Sequence, residues 1–276
     1  MWCDELVIYL HGCTDRSPQI MREIYQENPG RVTFIHGCDP NWNEMSQRQT
    51  MLKEARRIGA THLAIIDADE VLTSNLLSEP RHPHIRDYMT ASGQILQLPL
   101  YNLRGSLNRY HSSGVWGCNR FLSVAFADDP RLCWSGDTFH KREPQGAPLS
   151  WYQPIKHGQG GVVHLWGVSE RRLRARHALY KVTERLRWPA KPLREIEQEY
   201  NLWRSPEDAG VKWPAQTDWQ NPWTFADVPA SWWAGYEHLM RYLDVEAEPW
   251  QEAEVRRLVA EHDAALFHGL DLFGVA

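Results

Sequence analysis

The chain has 276 residues, enough for one large domain or a domain with a substantial appendage, and its 42% apolar and 24% charged residues describe an ordinary globular protein. A net charge of -5 excludes a chain dedicated by charge to nucleic acid, although a local basic face is compatible with it. No apolar run approaches the roughly 18 residues of a membrane-spanning helix, and five cysteines (Cys3, Cys13, Cys38, Cys118, Cys133) with no C-x-x-C pair argue against a disulfide framework or a cysteine zinc site.

With no signal peptide before the first strand, the expected location is a reducing one, the cytoplasm. Leu6 to Leu10 reads as that strand. Ser17-Pro18 opens a helix as N-cap and first-turn proline, with Ile20, Met21, Ile24 and Tyr25 as its apolar stripe and Asn28-Pro29-Gly30 as its stop. Val32 to Ile35 is a second strand. A helix from about Glu44 to Ile58 follows, with Met51, Leu52, Ala55 and Ile58 inward and Gly59 closing it. Leu63 to Ile66 is a third strand. This alternation predicts an α/β fold with a mostly parallel, Rossmann-like sheet flanked by helices.

Beyond Ile95 the pattern changes to short strand-like runs, ILQLPLYNL and NRFLSVAF, and then to a loop-rich section from Asp128 to Gly161. Gly161 to Leu165 is another strand, and Ser169 caps a helix reaching about Arg187. Eight of the 14 tryptophans lie from Trp188 onward, in a Pro-rich tail with helices near 193–203, 231–243 and 250–267. Exposed Trp faces stack on sugars or bases, and buried ones fill irregular cores. The organisation expected is a catalytic domain over 1–188 and a helical, Trp-rich extension over 189–276 packing on it.

The sharpest chemical signal is Thr61 to Leu72, where an apolar strand ends in Asp67-Ala68-Asp69-Glu70. Three acids within four residues at a partly desolvated strand end repel one another, so a cation is expected to compensate them. Hard divalent ions with oxygen ligands, shared with a phosphorylated substrate, suit that task. Ligands of parallel α/β sheets also gather at the carboxyl ends of strands.

Cys3-Asp4-Glu5-Leu6-Val7-Ile8, the turn Gly12-Cys13-Thr14-Asp15-Arg16-Ser17, Gln47-Arg48 and the closing Asp67-Ala68-Asp69-Glu70 together resemble glycosyltransferase family 2 and its GT-A-fold relatives. The closest pattern is the DADE variant of enzymes that add sugars to lipopolysaccharide cores. The resemblance is best over residues 3 to 75 and continues weakly to about 187. It implies a GT-A-like fold and a Mn2+ or Mg2+ ion held by Asp67 and Asp69, with Glu70 positioning the loop. It also implies a nucleotide-diphosphate sugar donor near Thr14, Asp15, Arg48 and Asp67. His164 is the candidate third metal ligand, with Gly160-Gly161 allowing close backbone approach. Transfer with inversion needs a base for the acceptor hydroxyl. Asp137 fills that role, with His140 as its partner, as an alternative base or as a metal ligand, and Asp128 and Asp129 as competitors.

The helix after His164 is dense in Arg171, Arg172, Arg174, Arg176, Lys181, Arg185 and Arg187, which suits either diphosphate, through Arg172 in particular, or a solvated basic face. The expected acceptor is a saccharide or lipid-linked saccharide, with a hydroxylated base of modified DNA as a further option. Two departures stand out. Leu10-His11 replaces the aspartate that in the family recognises the nucleotide base, and the family's first strand would precede Trp2, so a longer natural N-terminus is expected. Two other classes fit part of the pattern. Asp67-x-Asp69-x-Val71-Leu72 matches the nucleophile motif of haloacid-dehalogenase-like phosphatases, and a degenerate GT-A domain could bind a nucleotide without turnover.

Overall fold

The structure, a computed structural model, describes residues 3–13, 15–37, 43–78, 84–112, 120–136, 141–200, 224–237 and 248–275. It is an α/β protein with a mixed sheet. The chain divides into two compact units. One comprises Met1–Ala68, Leu72–Pro99 and Phe121–Val162, and the other Asp69–Val71, Leu100–Arg120 and Val163–Ala276.

The first unit begins as the sequence predicts. Strand β1 (Leu6–His11), helix α1 (Ser17–Glu27), strand β2 (Val32–Gly37) and helix α2 (Glu44–Arg57) alternate, and β1 and β2 pair in parallel from Leu6–Val32 to His11–Gly37. The start of α1 differs from expectation. Arg16 is the N-cap and Ser17 the first helical residue, because the Asp15 carboxylate already accepts the Ser17 N–H at 2.9 Å. Asn43 caps α2 by accepting from Ser46 N–H. Leu52 and Ala55 are buried as predicted, and Leu52 joins Met45, Ile95, Phe126, Leu132 and Trp134 in the core of this unit.

The expected mostly parallel sheet is not what forms. Strand β3 (His62–Ala64) pairs antiparallel with β7 (Phe121–Ala127), which in turn pairs antiparallel with the first half of β5 (Gln94–Arg104). Strand β8 (Ser150–Tyr152) adds to β5 in parallel. Strands β1 and β2 make a two-stranded sheet of their own. Local alternation fixes where strands and helices lie, but the ladder partner of β3 is chosen by the buried run Val124–Ala127, 60 residues downstream, which no local pattern announces.

In the second unit, the far half of β5 meets β6 (Arg109–His111), and β6 pairs with β10 (Phe225–Asp227). Strand β9 (Val162–Gly167) pairs with β4 (Glu70–Leu72), so the acidic motif runs into a strand rather than staying a loop. Helix α4 (Glu170–Arg187) carries α5 (Leu193–Tyr200) and α6 (Trp250–Glu261) against it, with Ala178, Val182, Val255 and Phe267 forming their shared core. Pro189 therefore lies inside this unit; among the described residues of the extension, α5, α6 and 264–267 pack on α4, whereas β10 and Trp232 pack on β6 and β5. The short helix α3 (Ser74–Ser78) follows β4.

Three residues of the basic face of α4 are consumed by that packing. Arg171 makes two bonds to Glu252 of α6, at 2.6 and 2.8 Å. Arg185 donates to the Leu266 and Lys191 carbonyls. Lys181, with no exposed surface, donates to Glu197 at 2.9 Å and to the Asp271 carbonyl at 2.8 Å. No helix among the described residues is long and apolar enough to cross a membrane.

Candidate functional site

The acids of the DADE motif are held by two different sets of groups. Strand β3 ends as Ile65 N–H donates to the Val124 carbonyl of β7 at 2.7 Å, which delivers Asp67 to two arginines. Arg142 donates through Nη2 to Asp67 Oδ2 at 2.6 Å and through Nη1 to the Ile65 carbonyl at 2.9 Å. Arg48 lies 3.5 Å from Asp67 Oδ1 and is bound to Glu44, one turn earlier on α2, at 2.7 Å. Both guanidiniums are buried, while Asp67 is half-exposed. Glu44, Arg48, Asp67 and Arg142 thus alternate in charge, which is how a low-dielectric site tolerates four ions. Arg142 escaped the sequence reading because Lys141-Arg142-Glu143 in a polar loop has the look of solvated charge.

Asp69 belongs to the second unit. Its carbonyl accepts the Leu165 N–H at 2.7 Å, so the ladder to β9 brings His164 alongside. His164 Nε2 stands 3.4 Å from Asp69 Oδ2, and Arg176 Nη2 of α4 stands 3.6 Å from the same oxygen. Burial pushes the Asp69 carboxyl up, but the His164 hydrogen bond and the charges of His164 and Arg176 outweigh it, and the net shift is downward. On the other side of the ring, His164 Nδ1 meets Asn102 Oδ1 at 2.8 Å. A carbonyl oxygen only accepts, so Nδ1–H donates to Asn102 and Nε2 is the nitrogen turned to Asp69. Glu70 is buried on β4.

A divalent ion can be tested against these groups. Among the described residues no cluster of three or more His, Cys, Asp or Glu side chains converges. An all-protein cage is therefore not built here. A carboxylate oxygen and an imidazole nitrogen do converge at Asp69 and His164, and ions that share their shell with substrate phosphates take only one or two protein carboxylates. The Asn102 contact at Nδ1 fixes the ring in the way a ligating histidine requires. The pair fits that kind of site.

Thr14, Asp137 and His140 lie outside the described residues. Asp15 is exposed and holds the first turn of α1. Arg172 sits in the first turn of α4, its N–H taken by the Ser169 cap. The competitor bases are occupied. Asp128 is gripped by Arg56 through two bonds of 2.8 Å, and hydrogen bonds from Arg131 and Ser92 hold Asp129 far below the usual carboxylate range.

No family model matches the chain. Comparisons with curated proteins and with solved structures likewise return no significant match. The site's own chemistry therefore carries the functional argument.

Proposed function

We propose that the chain is a metal-dependent glycosyltransferase of GT-A type that moves a sugar, with inversion, from a nucleotide diphosphate to an acceptor hydroxyl. The observation that carries this reading is the His164–Asp69 pair, with Nε2 turned to the carboxylate by Asn102 and Arg176 at the same oxygen. An oxygen ligand, a nitrogen ligand and a guanidinium together are the groups that a diphosphate and its divalent ion need. Bound there, Mn2+ or Mg2+ would neutralise charge on the leaving diphosphate. Asp69 and His164 would hold it, and Arg176 would face the phosphate oxygens. The parallel β1–α1–β2 start and the acids that follow β3 support the GT-A assignment. The antiparallel neighbour of β3 and the arginine-locked Asp67 weigh against the phosphatase motif, which needs that carboxylate as a nucleophile.

A thermal-shift panel of nucleotide sugars, with and without MnCl2, tests the proposal. A donor should raise Tm only when manganese is present, and Asp69→Asn should abolish the rise. A shift that survives Asp69→Asn unchanged sinks the metal assignment. Metal-dependent binding without sugar release or transfer would point to the binding-module alternative.

A further inference from the structure

Within the first unit, Gln97 of β5, Ser123 of β7, Gln153 just after β8 and Glu143 of the loop before β8 join in one line. Gln153 donates Nε2–H to Gln97 Oε1 at 2.6 Å, and Gln97 donates to Ser123 Oγ at 3.0 Å. Ser123 donates its hydroxyl to Glu143. Strand register produces the line, since Gln97 is paired with Ser123 and Gln153 follows directly on the Leu96–Tyr152 pair. Every bond runs the same way, toward the carboxylate, so each donor polarises the next.

Glu143 at the end of that line is half-buried, and among the described residues it has no cationic partner. Asp67, Asp128 and Asp129 each hold an arginine by contrast. Ser123 satisfies Oε1 of Glu143, which leaves Oε2 to accept from a donor supplied from outside. At the other end, Trp151 of β8 precedes Gln153 by two residues, the spacing of same-side positions in extended chain. Its indole is 55% exposed.

We propose that Trp151, Gln153 and Glu143, tied together beneath by Gln97 and the buried Ser123, form a binding strip for a neutral saccharide. Carboxamide and carboxylate groups are planar and grip the vicinal hydroxyls of a sugar, and an exposed indole takes the flat C–H face of the ring. The one charge in the strip is a carboxylate, with no cationic partner among the described residues, and it disfavours phosphates, nucleotides and acidic polymers. The strip does not depend on the transferase reading, since none of its residues takes part in the Asp69–His164 pair.

The test is saturation-transfer NMR and tryptophan emission on the full chain with maltose, lactose and chitobiose as probes, and glucose 1-phosphate as the charged control. At least one disaccharide should bind, and Trp151→Ala and Glu143→Gln should each weaken it about ten-fold, the worth of one good ring contact or charged hydrogen bond. Trp151 is exposed, so its variant keeps the fold; Gln at 143 still accepts from Ser123. The proposal is overturned if no disaccharide is saturated, if binding is unchanged in Trp151→Ala, or if glucose 1-phosphate binds more tightly than maltose. Loss of the manganese-dependent nucleotide shift would leave this result standing.

Discussion

The imidazole of His164 is fixed at both nitrogens, by Asn102 at 2.8 Å on one side and Asp69 at 3.4 Å on the other. Two strands and the acidic motif meet in that one ring, so the ring orientation depends on Asn102, a residue outside the proposed metal pair. Asn102→Ala should therefore weaken Mn2+ binding by about 10- to 100-fold. His164→Ala should remove it. Isothermal titration with MnCl2 decides the matter, and wild-type affinity in Asn102→Ala would show that the ring needs no such support.

Two buried histidines make the second unit acid-sensitive. Burial first, and then the charges of Arg176 and Lys181, push His177 down to about 3; burial with Arg104 and Arg109 pushes His111 down to about 4. The unfolded chain takes up these protons near pH 6.5 and the folded one does not, so stability is full above pH 6.5 and falls as the pH drops toward those values. Each histidine contributes up to about 1.4 kcal/mol per pH unit in that window. Urea midpoints at pH 7.5, 6 and 5 should show a shallower decline in His177→Phe than in the wild type. An identical slope would mean that His177 is already protonated in the fold.

Lys181 joins α4 to both α5 and the C-terminal segment through Glu197 and the Asp271 carbonyl. Lys181→Met should cost about 3 kcal/mol, because it strands a carboxylate and a carbonyl away from their donor. Adding Glu197→Gln should recover part of the loss. Chemical denaturation of both variants measures it, and additive losses in the double variant would contradict the pairing.

Gly160 stands at φ +110°, and a Cβ there would lie 2.6 Å from Thr73 Oγ1 and 2.8 Å from Asn75 Oδ1. Thr73 Oγ1 is pinned because it accepts the Gly161 N–H at 2.9 Å. Gly160→Ala should lose about 2 kcal/mol of stability through strain and crowding together. A melting temperature equal to wild type would show that this turn can relax.

Arg142 and Arg48 hold Asp67 from buried positions. Arg142→Gln should destabilise the fold by about 2 kcal/mol, since the Ile65 carbonyl and Asp67 both lose a charged donor. Asp67→Asn should cost less, as the carboxamide oxygen still accepts from Arg142 and only the longer contact to Arg48 is lost. Reversal of that order in urea denaturation would place the main support of Arg142 elsewhere.

Much of the local structure was legible. The positions of β1, α1, β2, α2 and α4 follow from apolar spacing, caps and stop glycines, and Ser169 caps α4 as its sequence context demands. The acidic motif and His164 were also legible as residues that ought to share a site, and the ladder to β9 brings Asp69 and His164 together. Asn102, Arg142 and the Gln153–Gln97–Ser123–Glu143 line were not. Each looks like an ordinary polar residue of a strand or loop until a distant strand is laid beside it, and Gln97 is 26 residues from its partner Ser123.

The sequence by itself determined the alternation of strands and helices, the absence of a spanning apolar run and the clustering of acids after the third strand, because these are properties of neighbours along the chain. The tertiary structure alone decided that β3 pairs antiparallel with β7, that α4 spends Arg171 on α6 and Arg185 on the tail, and that Asp67 and Asp69 face different partners. Those outcomes depend on which buried surface wins each contact, a competition among residues tens of positions apart that local propensity does not encode.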